Sequence, residues 1–378
     1  MKRILKLLLI IPLVMSCDKM FLGKDEPVVS YDENIKPPPA LNDGWDVSDL
    51  ATQNIKADNI YQLIKYLQGN TSNIHSLIII KNGKLVSESY FDGWNRNRLH
   101  ALRSDSKSFI STLVGIAIDQ GQIKDVNQKV FDFFPEYADL NNEQKNLIEI
   151  RHILTMSPGL QWDESTYFGL EDDRNDEYAI EQREDRLRYL LAKKVVHPPG
   201  NNFLYNSALP VLQSAIIKKS TGYNADVYAA KYLFEPLGIH NYFWRMNADG
   251  YVAIAPLFLT PRDMAKLGQL FLDGGKWKGK QVVSSAWVEA ASSMVITNTS
   301  SFPKKAQTTT GYGYNWWTEE FTINQEAVQT FAAEGSGGQY IFVVPGLNAV
   351  VVFTGGNYKT NQNEPYGIMA TKILPAMM

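Results

Sequence analysis

The chain has one cysteine, Cys17, among 378 residues, so an intramolecular disulfide framework is excluded and the fold must hold by packing. Its five histidines, His75, His100, His152, His197 and His240, show no paired helical spacing, which argues against a zinc site. No metal and no cofactor is implied. A Gly-x-Ser-x-Gly elbow is missing, which argues against a Ser-His-Asp hydrolase. Basic residues number 37 and acidic ones 40, giving a net charge of −3 with both signs mixed and no basic stripe, so nucleic acid is not an expected partner. Long internal repeats and low-complexity runs are also lacking. The apolar run at the N-terminus, Leu7 to Met15, is too short to span a bilayer as a permanent helix.

That run follows Lys2, Arg3 and Lys6 and precedes Ser16, so residues 1–16 read as a secretory signal peptide. Val14-Met15-Ser16-Cys17 is similar to a loose bacterial lipobox, in which cleavage leaves a lipidated cysteine at the N-terminus. An ordinary signal peptide with Cys17 incidental is the alternative. The expectation is a lipid-anchored protein of the bacterial cell envelope, facing the periplasm or the exterior, whose only membrane contact is the anchor at Cys17. Losing the leader would move the formal charge to about −6. Residues 17–45, with Pro27, Pro37, Pro38 and Pro39 among polar residues, read as an extended tether. Residues 46–378 remain for the folded domain.

The folded part opens with a predicted β-hairpin. Ser76–Lys81 and Lys84–Phe91 are rich in branched and aromatic residues, and they flank Asn82-Gly83, a strong turn signal. From Ser104 an apolar helix runs to a stop at Gly121. Helical patterns then dominate to about residue 240, including an amphipathic stretch from Glu181 to Lys194 and helices over Asn206–Ser220 and Ala225–Leu233. Thr260-Pro261-Arg262-Asp263 predicts another helix start, with Thr260 as N-cap and Pro261 at the first position. Gln339–Val344 and Ala349–Thr354 predict a C-terminal hairpin, followed by a last helix over 363–376. Strands at both ends with helices between give an α/β (α+β) class: a sheet domain with a mostly helical lobe inserted at about 122–250.

Ser104-Asp105-Ser106-Lys107 carries the chemistry. A serine and a lysine three residues apart on a helix face the same way, so the amine can reach the hydroxyl. A helix start also offers unpaired N–H groups to a developing oxyanion. The spacing alone is weak, because Ser16/Lys19 and Ser301/Lys304 share it. Neither of those introduces a comparable apolar helix.

Further segments stand in order along the chain: Arg151-His-Ile-Leu-Thr-Met-Ser-Pro-Gly-Leu160 with Trp162-Asp163-Glu164, Pro199-Gly200 through Tyr205-Asn206-Ser207, Leu259–Asp263, Gly311-Tyr-Gly-Tyr-Asn-Trp-Trp317, and Gly335-Ser-Gly-Gly-Gln339. This ordered set resembles the serine hydrolases of the class C β-lactamase and penicillin-binding-protein-like family, over roughly Ser76 to Leu374. The resemblance implies a β-lactamase/transpeptidase-like fold, an antiparallel sheet flanked by helices. It implies Ser104 as acylated nucleophile, Lys107 as its base and Tyr205 as the acid/base partner. By motif alignment the N–H groups of Ser104 and Ser336 form the oxyanion hole. Ser207, Gly335, Gly337 and Gln339 are marked for substrate binding, with both glycines at a strand edge where the substrate backbone approaches.

Two departures redirect the reading. The second motif is Tyr205-Asn206-Ser207 rather than Tyr-x-Asn, which looks like the branch containing aminohexanoate-oligomer amidases and esterases. The third, Lys-Thr-Gly in lactamases, here reads Ala333-Glu334-Gly335; Ala333 cannot bind a substrate carboxylate, and an inward Glu334 would repel one. An esterase or amidase acting on a small or peptide-like substrate is therefore expected before a β-lactamase or D-amino-acid peptidase. A non-catalytic surface lipoprotein that captures a ligand is the alternative of another class. Asp163, Glu164, Glu171, Asp172, Asp173, Asp176 and Glu177 cluster in the segment expected over the cleft, where they would favour cationic substrates unless they form a solvated loop.

Overall fold

A computed structural model describes residues 36–69, 72–164, 171–297, 309–358 and 361–378. The leader, Cys17 and the tether up to residue 35 lie outside the described residues. In chain order the strands are β1 (Asp46–Val47), β2 (Ile74–Lys81), β3 (Lys84–Tyr90), β4 (His100–Ala101), β5 (Tyr242–Met246), β6 (Val252–Leu259), β7 (Lys276–Trp277), β8 (Lys280–Gln281), β9 (Thr309–Tyr312), β10 (Trp317–Ile323), β11 (Glu326–Gly335), β12 (Gln339–Val344) and β13 (Ala349–Gly355). Eight of them form one sheet in the order β1-β3-β2-β13-β12-β11-β10-β9. Only the β1–β3 pairing is parallel. Asn82 (φ 53°) and Gly83 (φ 71°) both take the left-handed conformation, as a tight hairpin turn requires.

The sheet is buried on both faces, and the period of two sorts its side chains. Ile78, Ile80, Ile341, Val343, Val350 and Val352 point to one layer, where they meet the helices Ser106–Asp119 and Pro261–Leu272. Leu77, Ile79, Phe342, Val344, Val351 and Phe353 point to the other. That layer is completed by helix Ala57–Gly69 and the C-terminal helical segment from Glu364 to Met377. Each such side chain contributes about 1.5–3 kcal/mol on burial, which is how a chain without disulfides holds this sheet.

The helix that begins after Ser104 is buried nearly all round. Two of its serines are satisfied by one neighbouring segment: Ser108 and Ser111 donate to the carbonyls of Asn315 (2.7 Å) and Tyr314 (2.8 Å). Asn315 returns a bond from Nδ2 to the Lys107 carbonyl at 3.0 Å. The helix leans on Leu209–Thr221 of the inserted lobe.

Three expectations differ in detail. The stretch Glu181–Lys194 is not one helix but the tail of Asp176–Glu181 followed by Arg186–Leu191. Asp185 restarts the helix by accepting the Arg188 N–H at 2.9 Å, and Arg186 turns inward onto Asp249 and Glu181. The helix expected from Asn206 starts at Leu209, because the Asn206 side chain accepts from Ala208 N–H (2.9 Å) and holds a turn. Residues 242–259, absent from the expected strands, supply β5 and β6, which with β4 make a three-stranded sheet. The start at Thr260 is as expected: its side chain accepts from the Asp263 N–H and Pro261 opens the helix.

Candidate active site

Ser104 sits in a 3-10 turn, Arg103–Asp105, that runs directly into helix Ser106–Asp119. The turn is entered through Arg103 at φ 54°, a left-handed conformation that costs a non-glycine residue roughly 1–2 kcal/mol. Lys107, one helical turn on, donates from Nζ to Ser104 Oγ at 2.8 Å. Tyr205 arrives from the lobe and hydrogen-bonds the same serine side chain. The Lys107 ammonium lies 4.9 Å from the centre of the Tyr205 ring, and that ring stacks on Trp317. Three sequence-predicted residues thus meet at one hydroxyl.

Burial sets their protonation. It pushes Lys107 below an ordinary lysine, against the pull of Glu164, Glu177 and Asp105. Burial likewise raises the Tyr205 phenol, reinforced by Glu164, Glu177 and Glu334 and opposed by the bond to Ser104. A phenol raised in this way stays neutral, able to pass a proton rather than hold a charge.

Strand β11 ends at Gly335, beside the nucleophile. A Cβ at Gly335 would fall well inside van der Waals contact with the Leu102 carbonyl oxygen. The protein's own backbone therefore already requires a glycine here. Gly337 (φ 93°) turns the chain toward β12, and a Cβ there would strike the Tyr358 ring. Gly335→Ala is expected to push β11 off the Ser104 segment, lowering kcat by about 10²-fold and stability by about 1–3 kcal/mol. A steady-state assay with a urea melt checks both.

Two residues marked for substrate binding have other work. Ser207 is buried, and both its N–H (2.8 Å) and its hydroxyl (3.1 Å) go to the Glu164 carboxylate, which also takes the Trp162 indole N–H at 2.7 Å. Gln339 is fully buried and ties the turn together, donating to Gly355 O (2.7 Å) and Ser336 O (3.2 Å) and accepting from Gly355 N–H (3.0 Å). These bonds show both side chains holding the walls of the site together. In the third motif, strand alternation turns Ala333 toward the Ser104 layer and Glu334 to the opposite one, where it takes the Tyr366 hydroxyl. Glu334 therefore does not point at a substrate.

The acidic cluster divides. Asp172 pairs with Arg174 in the open, and Asp176 is taken by Lys193 and Tyr189. Glu164 and Glu177, however, act on Lys107 itself. Sequence reasoning grouped these two with the rest; the signal that separates Glu164 was its place in the Trp162-Asp163-Glu164 signature. Burial, then the charge of Glu164, pushes Glu177 up to about 7, against the opposing pull of Lys107 and a weaker one from Arg103. A carboxyl raised on folding loses native stability as pH climbs from its unfolded value toward 7, and the loss levels off above that. Glu177→Gln should therefore raise stability at pH 8 by on the order of 1–3 kcal/mol, seen as a higher melting temperature, and leave it nearly unchanged at pH 4. Equal gains at both pH values would contradict this.

Fold and neighbours define a class: a mixed α/β architecture of the β-lactamase and penicillin-binding-protein type. A Caulobacter crescentus penicillin-binding-protein homologue superposes with a TM-score of 0.60 at 15% identity, over 85% of this chain and 97% of that one. A family VIII carboxylesterase gives 0.64 at 14% identity, over 88% and 99%. The chain belongs to the Beta-lactamase family, whose model matches residues 75–371. Among curated proteins, the 6-aminohexanoate-dimer hydrolase of Paenarthrobacter ureafaciens is 25% identical over 293 residues, 73% of this chain and 71% of that protein. The family is one of hydrolases, and the dimer hydrolase and the carboxylesterase are hydrolases by name.

Proposed function

We propose that this protein is a serine hydrolase that forms an acyl-enzyme on Ser104, acting as an esterase or amidase on a small or peptide-like substrate. The observation that carries the reading is the convergence of Lys107 Nζ and the Tyr205 phenol on the Ser104 hydroxyl. In this scheme Lys107, made less basic by burial, takes the Ser104 proton as Oγ attacks the carbonyl. The N–H groups of Ser104 and Ser336 receive the oxyanion. Tyr205 then returns a proton to the leaving alcohol or amine, and the same pair activates the water that releases the acyl group. Amide substrates are suggested by the activity named for the Paenarthrobacter relative, esters by that named for the carboxylesterase.

Alanine at 333 speaks against a lactam-carboxylate anchor of the lactamase kind. We place the enzyme in the cell envelope on a lipid anchor at Cys17, a reading supported by the leader sequence alone.

A fluorophosphonate probe is expected to label the wild type and not Ser104→Ala, and Ser104→Ala should lose turnover of a short aryl ester by about 10⁴-fold or more. Equal labelling of the two proteins would move the nucleophile away from Ser104, and no labelling of either would favour the ligand-capturing lipoprotein. Hydrolysis of a chromogenic cephalosporin as fast as the aryl ester would make this a β-lactamase.

A further inference from the structure

Arg103 precedes the nucleophile and takes no part in the scheme above. Its backbone is strained (φ 54°), so its side chain leaves the turn in a direction that an ordinary residue there would not give. The guanidinium carbon lies 4.8 Å from the centre of the Tyr358 ring, the same ring that Gly337 packs against. It is thereby placed beside the Ser336–Gly338 turn. Its Nε is buried with no hydrogen-bond partner, and among the described residues it makes no salt bridge. Arg103 as a whole is partly exposed, but this one buried, unpaired N–H is costly, and a planar anion reaching the guanidinium edge satisfies it best.

The surroundings favour a negative guest. His100 donates Nδ1–H to the Ala101 carbonyl (3.1 Å), which leaves its Nε2 to accept the Nδ1–H of His75 at 2.8 Å. Burial pulls His75 down to about 4 and His100 well below the ordinary imidazole value, so both rings are neutral near pH 7. Arg98 and Arg103 both act on buried His100, so two guanidinium groups stand on this flank of the site. The acidic groups Glu164, Glu177 and Asp105 act on Lys107 instead, and Arg103 exerts only a minor pull on Glu177. Meanwhile Ala333 has removed the cation from the strand.

We infer that Arg103, backed by Tyr358, is a specificity residue that receives a carboxylate of the substrate next to the acylation site, replacing from the nucleophile's own turn the cation that the third motif lacks. The inference rests on the hydrolase reading and names its substrate class: esters or amides carrying a nearby carboxylate.

Matched pairs test it. Phenyl acetate against 3-carboxyphenyl acetate places the carboxylate on the leaving group, and an aryl valerate against the aryl hemiglutarate places it on the acyl group. Wild type should prefer the carboxylate member of at least one pair by roughly tenfold or more, the size of a charge-assisted hydrogen bond. Arg103→Gln should cut that ratio about tenfold, Arg103→Lys should keep part of it, and Arg103→Glu should favour an aminoacyl ester instead. A structural role would lower both members of a pair together and leave the ratio alone, and that result overturns the proposal, as does a wild type with no preference in either pair. Should no probe show Ser104-dependent turnover, the hydrolase reading itself fails. Calorimetric binding of glutarate and benzoate to wild type, lost in Arg103→Gln, then still decides for or against the subsite.

Discussion

Lys107→Met is expected to lower kcat/KM for a neutral aryl ester by about 10³- to 10⁴-fold while leaving the protein as stable as the wild type or more so. The first half follows from the 2.8 Å contact with Ser104 Oγ: without the amine, nothing of suitable basicity touches the hydroxyl except a phenol that burial keeps protonated. The second half follows from the cost of the lysine. Its side chain is 3% exposed and, among the described residues, no carboxylate lies within salt-bridge distance of its Nζ. Methionine has nearly the same shape and no charge to desolvate. Activity and stability should therefore move in opposite directions, as at sites selected for chemistry. Residual activity within tenfold of wild type would remove Lys107 from the mechanism; a large fall in the melting temperature would make it a structural residue.

Arg262→Leu should destabilise the fold by about 3–5 kcal/mol. Arg262 is 3% exposed and bonds three partners: Glu88 at 2.5 Å, Asp43 at 2.7 Å and the Pro39 carbonyl at 3.0 Å. Its own carbonyl takes the Trp45 indole N–H at 3.2 Å. The arginine thus ties the segment leading out of the tether to strand β3 and to the start of its own helix. Removing it leaves Glu88 in the interior with Arg96 as its remaining cation, at 2.9 Å. The loss should appear as a lower urea midpoint. Arg262→Lys should recover only part of it, because an ammonium cannot serve the same fork of acceptors. A change below about 1 kcal/mol would show that the network is worth little beyond the cost of burying it.

Much of the sheet was legible because its signals are local. Asn82-Gly83 specifies its hairpin by backbone preference, and Thr260-Pro261-Arg262-Asp263 caps its helix within four residues. The meeting of Ser104, Lys107 and Tyr205 was legible from motif order, although no spacing relates Tyr205 to the other two. What escaped was settled by long-range contact. That Ser207 and Gln339 spend their side chains on the frame depends on Glu164 and Gly355 being brought to them by the fold. The side to which Glu334 turns depends on the pleat and on Tyr366, 32 positions away. The split helix at 181–194 depends on Asp249 drawing Arg186 inward. Pattern reading sees the amphipathic stripe but not the partner that claims one residue from it.

The contact between Gly335 and the Leu102 carbonyl has a consequence for how such a site can evolve. Any side chain at 335 would meet the Leu102 carbonyl first and the Gln339 side chain next, so the approach of strand β11 to the nucleophile's turn depends on a glycine there. If Arg103 selects the substrate as inferred above, substitutions there can retune which substrates are accepted while the approach of β11 to the nucleophile stays the same. Reaction and recognition become separable traits, one kept by the backbone and the other free to diverge.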